Sequence, residues 1–450
     1  MTKRGMSLWN LALGLTVAFA FLATSPTKVI AADVPEVVTI KVGGVLTMTG
    51  GGAQWHGPGA EAEKVFFKNL NETGGIAYRE PDGTTHRFKV EHKYEDCAYQ
   101  PKKAVSSYVR LRDWGAHLIT TDGTTPGSAL YGLATRDGVP VLHKFACVPD
   151  PEGNGDINKK KYWLPNHEIN YACCLTTLMA FKKGVWEKDH PGKPLKVGIV
   201  SLDNPTRRMY AQPKVKELYS RAGIELVGVA FVPISVTDVT IQVKQFYDKG
   251  ARTILIDHIT SAAKVTIENA ERLGIKDEMS FIGWYTLLKD FLSDPEVFDG
   301  FYNQYMAPAF NVKKRSPEVE RVGKIYQAAN PKYWKYMEDR AIDVHHSLTV
   351  GMQAVKHCLE KHGYKGFNRE TLRDSMFSLR DIDTGIHPRF SIDPQYPLTT
   401  PYDWLYRVDA KNKCYVPIGP VVAAGPHMFR SRWNPSDDPK VVLTHYYQWP

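Results

Sequence analysis

Three aspartates, Asp96, Asp203 and Asp257, stand at or near the ends of β-rich runs, where open α/β sheets hold their ligands. Carboxylates there can accept hydrogen bonds from a ligand or simply cap a loop. No motif turns them into an enzyme. There is no GxSxG elbow, no phosphate-binding P-loop and no HExxH, and Asn166-His167-Glu168 is not one. Gly57-Pro58-Gly59-Ala60-Glu61-Ala62 has GxGxxA spacing. A dinucleotide turn follows its strand almost directly, however, and Pro58 removes a backbone N–H that would face phosphate. No catalytic group, cofactor or metal is expected. The chemistry left to these residues is binding.

The elements that would position them alternate regularly. Val37 to Leu46 is β-rich, and Gly59 to Asn71 has helical apolar spacing that stops at Thr73-Gly74-Gly75. Strands at Phe88 to Tyr94, His117 to Thr121 and Val139 to Phe145 are separated by helices at Pro101 to Trp114 and Ser128 to Arg136. The alternation repeats: helix Ile169 to Lys182, strand Lys196 to Ser201, helix Met209 to Ala222, strand Ile224 to Phe231, helix Thr240 to Lys249, strand Thr253 to His258, helix Ala262 to Leu273, strand Ser280 to Gly283. Two successive βα units argue for two α/β lobes, each a mainly parallel sheet with helices on both faces. A long helix is expected around Asp343 to His362, and the segment from Pro388 onward is rich in Pro and Tyr.

The N-terminus reads as a secretory signal peptide: Lys3 and Arg4, an apolar run from Leu8 to Ala23, then Val29-Ile30-Ala31-Ala32. The run is shorter than the roughly 20 residues of a membrane span. Cleavage near Ala32 would make the product periplasmic. Losing Lys3, Arg4 and Lys28 lowers the formal charge of +9 by three. The remaining Lys and Arg are scattered, which argues against nucleic acid. Six cysteines, Cys97, Cys147, Cys173, Cys174, Cys358 and Cys414, lack CxxC spacing. In an exported protein one or two structural disulfides are the expectation.

In a doubly wound sheet the loops after the strands, with the helix N-termini behind them, face the ligand. Asp122-Gly123-Thr124-Thr125-Pro126-Gly127 offers two hydroxyls and backbone N–H groups suited to a carboxylate, or a helix cap by Thr125. Gln54-Trp55-His56 puts aromatic groups on a loop after the glycines 50–52. The Trp55 ring either stacks on a ligand or lies under a neighbouring element.

The stretch from Val42 to Ile76, with Gly59-Ala60-Glu61-Ala62 and Asn71-Glu72-Thr73-Gly74-Gly75-Ile76, resembles the branched-chain amino-acid (Leu/Ile/Val) binding family of ABC-importer subunits. So do Tyr94-Glu95-Asp96 with Gln100-Pro101-Lys102-Lys103-Ala104-Val105, Asp122 to Ala134 with Gly138-Val139-Pro140-Val141, and Val197 to Ser201. The resemblance extends over most of 37–310. It implies the type I periplasmic-binding fold: two lobes joined by crossing strands, with the ligand between them. It places Trp55 over the ligand, Thr124 and Thr125 near a carboxylate site, and Ala146 and Cys147 at its small-residue and hydroxyl positions. In the second lobe it points to Arg207, His258 and Tyr285. Cys147 is a weaker donor than a hydroxyl. Tyr285 removes a carboxylate that would bind an ammonium, and Arg207 adds a partner for an anion.

The resulting expectation is a monomeric solute-binding protein that closes on a small carboxylate-bearing ligand, an amino acid or an aromatic or organic acid. It would deliver that ligand to the membrane permease of an ABC importer. A ligand sensor of the same fold is the alternative, and an exported α/β enzyme a more distant one. The expected lobes are 33–165 with about 305–385, and 166–304 with about 386–450, after a signal peptide at 1–32.

Overall fold

The computed structural model describes residues 35–145, 162–166, 170–204, 207–284, 291, 294–392, 399–400, 402–418 and 422–423. Residues 1–32, where a signal peptide is expected, and Ala146, Cys147 and Tyr285 lie outside the described residues. Val37–Pro450 forms one unit.

Its first sheet begins with β1 (Val37–Leu46), the hairpin β2 (Ile76–Arg79) and β3 (Thr85–Asp96), β4 (Leu118–Asp122), β5 (Val141–Phe145) and the short β6 (Trp163–Leu164), in the order β2-β3-β1-β4-β5-β6. All neighbours are parallel except β2 against β3. Strand β1 is buried at six of its last seven positions, as a central parallel strand covered on both faces must be. Helices α1 (Ala53–Glu72), α2 (Pro101–Asp113) and α3 (Thr124–Asp137) connect these strands. Residues of α2 and α3, among them Ala104, Leu111, Leu130 and Ala134, form one cluster with Val45, Ile119 and Val141.

The second sheet takes β7 (Leu195–Leu202), β8 (Ile224–Val232), β9 (Thr253–Asp257), β10 (Ser280–Trp284), β11 (Tyr302–Tyr305), β12 (Tyr402–Asp409) and β13 (Cys414–Pro417), in the order β13-β12-β11-β10-β9-β7-β8. The C-terminal strands β12 and β13 run antiparallel and extend one edge, with β14 (Val422–Ala423) pairing β12. Helix α4 (Asn170–Phe181) packs on one face with a core of Leu195, Val197, Ile199, Leu255, Ile282 and Trp284. Helices α5 (Pro213–Arg221), α6 (Thr240–Asp248) and α7 (Thr260–Arg272) connect the parallel strands. On α6, Phe246 occupies space that only glycine leaves: a Cβ on Gly198 would lie 2.3 Å from Phe246 Cδ2, and one on Gly228 would lie 2.6 Å from its Cε1.

The chain then returns to the first sheet through α8 (Pro317–Ala329), α9 (Pro331–Gly366) and α10 (Arg369–Ser378). Helix α9 lies against α1 and β5. A Cβ on Gly351 would meet Leu142 at 2.7 Å, and one on Gly59 would meet Val344 at 3.4 Å. Near its end α9 turns at Gly363, where φ is 68° and the backbone N–H of Tyr364 is taken by Glu80 Oε1 at 3.0 Å.

Two features differ from the sequence expectation. Helix α1 starts at Ala53, not Gly59, so Trp55 and His56 stand in its first turn rather than on a loop, and Pro58 is inside the helix. Pro58 is near enough to the N-terminus to remove only one intrahelical bond. Gly57 to Ala60 is consequently buried helix interior against α9, not a phosphate-binding turn. The expected disulfides are also not formed among the described cysteines. Cys97, Cys173, Cys174, Cys358 and Cys414 are all buried, and none of them is joined to another.

Candidate ligand cleft

One side chain links the elements of the first sheet to the core of the second. The link is direct. Trp55, from the first turn of α1 beside the first sheet, packs against the apolar cluster of the second sheet that contains Tyr171, Met209 and Tyr210. The lobes are joined by crossing segments that hold each other. Thr399 N donates to Pro165 O at 3.0 Å and Thr400 N to Asn166 O at 2.8 Å. Asn166 Nδ2 donates to Ser347 Oγ and to Thr400 Oγ1, both at 2.8 Å, anchoring the crossing to α9. His346 Nε2 is 2.6 Å from Thr399 O and its Nδ1 is 2.8 Å from Thr384 Oγ1. Burial raises the Asp343 carboxyl to about 7, against the pull of Arg340, whose Nη1 is 3.5 Å away.

On the first lobe the end of β3 shapes the rim. Asp96 Oδ1 accepts from Met48 N at 2.9 Å, Thr49 N at 3.2 Å and Ala98 N at 2.9 Å. Asp96 is thus the organiser of two loops. The next turn sets Ala98 at φ 48° and Tyr99 at φ 60°, a conformation costly for residues with side chains. This aims the Tyr99 ring between the N-termini of α1 and α3. A Cβ on Gly52 would lie 2.7 Å from Tyr99 Cγ, and one on Gly123 would lie 2.6 Å from Tyr99 Cε2. The same ring stacks on His56, with centroids 5.1 Å apart and planes 20° apart. Trp55, His56 and Tyr99 make a continuous aromatic wall. Sequence reasoning missed Tyr99. No local signal marked it, because Gly52 and Gly123, which leave room for its ring, already read as turn glycines at helix starts.

Beneath that wall lies a buried charge cluster. Lys144 Nζ, fully buried on β5, is 3.1 Å from Glu63 Oε2 and 3.3 Å from Asp122 Oδ2. Burial opposes the ammonium, yet Asp122 and Glu63 together hold its pKa above the ordinary lysine range. Glu63 is also met by His92 Nε2 at 2.9 Å and by Thr120 Oγ1 at 2.6 Å. Burial works against its charge too, but Lys144, His92 and Thr120 bring it down to about 2. Burial pushes His56 down to about 4, so it is neutral at pH 7.

The expected site residues fall as follows. Trp55 spans the two lobes. Thr124 and Thr125 open α3, Thr124 half-buried and Thr125 exposed. The capping residue of α3 is Gly123, which offers no side chain, so Thr125 is not the cap. Arg207 is buried in a short helical turn, where its Nε donates to Asp257 Oδ1 at 2.8 Å. Asp257 also accepts from Tyr210 OH at 3.0 Å and Ser201 Oγ at 3.4 Å. Arg208 is the exposed neighbour and pairs with Asp203. His258 is buried at the end of β9. Its Nδ1 accepts from Ile259 N at 2.8 Å, and its Nε2 donates to Pro233 O at 3.2 Å. Burial lowers it to about 4.

Two α/β sheets joined by crossing segments, with an aromatic contact bridging their strand ends, define a two-lobed binding protein. A family model described as periplasmic binding protein matches residues 39–413, and the chain belongs to that family. It is accordingly a solute-binding protein of the type I periplasmic-binding fold, the fold that the sequence resemblance implied. Among solved structures, it is similar to a fatty acid ABC transporter substrate-binding protein from Thermomonospora curvata. The two are 18% identical, the match covers 86% of this chain and 92% of that one, and the TM-score is 0.65. A branched chain amino acid ABC transporter protein from Thermus thermophilus with bound valine is 16% identical, with 87% and 97% covered and a TM-score of 0.65. A solute binding protein of an ABC transporter from Rhodopseudomonas palustris HaA2, in complex with p-hydroxybenzoic acid, is 18% identical, with 86% and 98% covered and a TM-score of 0.65. Comparison with curated proteins finds no significant match.

Proposed function

We infer that the protein captures a small carboxylate-bearing ligand, an amino acid or an aromatic or organic acid, by closure of its lobes. It then delivers the ligand to the permease of an ABC importer. The observation that carries this reading is Trp55, which leaves the first lobe to pack on the second and so covers the region between the strand ends. The N-terminus of α3, opened by Thr124 and Thr125, supplies backbone N–H groups for the carboxylate. Ala146, Cys147, Arg207, His258 and Tyr285 complete the set of residues assigned to the cleft. The bound acids named for two of the similar structures support a carboxylate ligand. In this reading residues 1–32 are an export signal, the mature chain works as a periplasmic monomer, and it performs no catalysis. The lobes are 33–165 with about 305–385, and 166–304 with about 386–450. The packing of α9 against α1 and β5 supports assigning the 305–385 segment to the first lobe.

The test is a thermal-shift screen against aliphatic amino acids, aromatic acids, small dicarboxylates and their amides. A ligand at 100 times its dissociation constant adds about 2.7 kcal/mol of stability, which a raised midpoint reports. A shift by acids and none by their amides upholds the reading. A shift by amides and not by acids removes the carboxylate from it.

A further inference from the structure

The charge cluster under the aromatic wall is unevenly satisfied. Lys144 is a single cation shared by two carboxylates, Glu63 and Asp122. Glu63 has further partners in His92 and Thr120. Asp122 has fewer. Its Oδ2 faces Lys144 at 3.3 Å and the Thr47 N–H at 3.5 Å. Its Oδ1, buried in a residue only 1% exposed, has no hydrogen-bond partner among the described residues. The nearest ring nitrogen, His56 Nδ1, stands 3.9 Å away, and burial keeps that imidazole neutral. The other nearby pair, Arg340 with Asp343, is 3.5 Å apart and adjoins the cluster, Arg340 acting on His56 and Lys144 on Asp343.

A buried carboxylate oxygen left without a donor is costly, and such a group is rarely kept without a use. Its position supplies one. Asp122 is the last residue of β4, between the first turn of α1, which carries His56 and Trp55, and the first turn of α3. That is the floor of the first-lobe side of the cleft. A negatively charged acceptor there repels a second carboxylate and attracts a proton donor.

We propose that Asp122 is a specificity-determining residue, its Oδ1 accepting a hydrogen bond from a hydroxyl or ammonium group of the ligand. The ligand class is then a carboxylic acid that also carries a donor, a hydroxy acid or an amino acid, with its carboxylate on the α3 N-terminus and its donor on Asp122. This rests on the cleft being the ligand site.

The experiment measures dissociation constants by titration calorimetry for matched pairs: 4-hydroxybenzoate with benzoate, and valine with 3-methylbutanoate. The full-length mature chain binds the donor-bearing member of at least one pair tenfold or more tighter. Asp122→Asn narrows that preference to about threefold or less while retaining the acid that lacks the donor. Equal binding within both pairs by the unaltered chain overturns the proposal, as does a preference that survives Asp122→Asn. Because Asp122 also neutralises Lys144, the variant is checked by circular dichroism. If it does not fold, capping the donor on the ligand decides instead. 4-Methoxybenzoate and 2-methoxy-3-methylbutanoate, which carry no donor, must then bind tenfold or more weaker than 4-hydroxybenzoate and valine, and equal binding within both pairs overturns the proposal. If no acid binds, the carboxylate reading fails by itself. Phenol and 2-methylpropylamine then test Asp122 alone: binding that Asp122→Asn or, for an unfolded variant, exhaustive methylation of the donor (anisole, the quaternary ammonium) abolishes upholds it, and no binding overturns it.

Discussion

Arg207 Nε donates to Asp257 Oδ1 at 2.8 Å, joining a helical turn after β7 to the end of β9 within the second lobe. Both groups are buried, and Tyr210 adds a third member through its hydroxyl, 3.0 Å from Asp257 Oδ2. Removing one partner of such a pair strands a buried charge, at a cost of about 3–5 kcal/mol. Asp257→Ala should therefore lower stability by that amount in urea unfolding. Arg207→Met together with Asp257→Leu should recover much of it. Additive losses in the double variant would show that the two side chains are not coupled.

Gly123 is left-handed at φ 77°, and its missing Cβ makes room for the Tyr99 ring. Gly123→Ala meets both problems, backbone strain and overlap, and should destabilise by about 1–3 kcal/mol. Adding Tyr99→Ala removes the overlap but not the strain, so the double variant should regain only part of the loss. Thermal midpoints of the three variants check this. Full recovery would mean that backbone conformation contributes nothing.

Stability should rise with pH from about 4 and level off above about 7. Burial holds His56 at about 4, His345 at about 3 and His346 at about 4, below the unfolded 6.5. Between those values the unfolded chain binds protons that the folded chain refuses, so stability is present above 6.5 and is lost as pH falls. Asp343 has the opposite sign. Burial raises it from 3.8 to about 7, so the folded chain keeps a proton that the unfolded chain has lost. Its effect lowers stability as pH rises from about 4 through 7. Midpoints measured from pH 4.5 to 8 should show a steep acid limb that His346→Gln flattens. Asp343→Asn should steepen that limb between pH 4.5 and 7, because it removes the opposing titration. An unchanged acid limb in Asp343→Asn would refute the assignment.

Trp55 is half-buried and packs across the lobes rather than within the core of its own sheet. Trp55→Ala should leave the midpoint of the ligand-free protein within a few degrees while weakening ligand binding tenfold or more. Circular dichroism and calorimetry separate the two effects. A collapse of the fold with normal affinity in the folded fraction would make Trp55 structural.

No disulfide joins the buried residues Cys97, Cys173, Cys174, Cys358 and Cys414 to one another. Peptide mapping of the unreduced protein should find no crosslinked pair drawn from these five. Any such pair would show that a disulfide joins two of them.

Much of the fold was legible because periodicity is local. The 3.6 and 2 spacings of apolar residues, with the Thr73-Gly74-Gly75 stop and Pro101 start, located most of the strands and helices that build both sheets. The hairpin strand β2 escaped notice because Ile76–Arg79 alternates too briefly to register. The early start of α1 escaped because Pro58 and three glycines argue locally for a loop, a preference that packing against α9 overrides. The site was less legible. Sequence placed Trp55, Thr124 and Thr125 at strand ends, because a parallel sheet puts every strand's C-terminal end on one side. The partners of Arg207, Asp122 and Tyr99 could not be read there. Asp257 is fifty residues from Arg207 along the chain, and Lys144 is twenty-two from Asp122. Tyr99 rests between Gly52 and Gly123, which belong to different helix starts. Sequence by itself determined the elements and their alternation. Only the tertiary structure decided which charges are matched and which carboxylate oxygen is left over, because burial and pairing depend on what the chain crossings bring together.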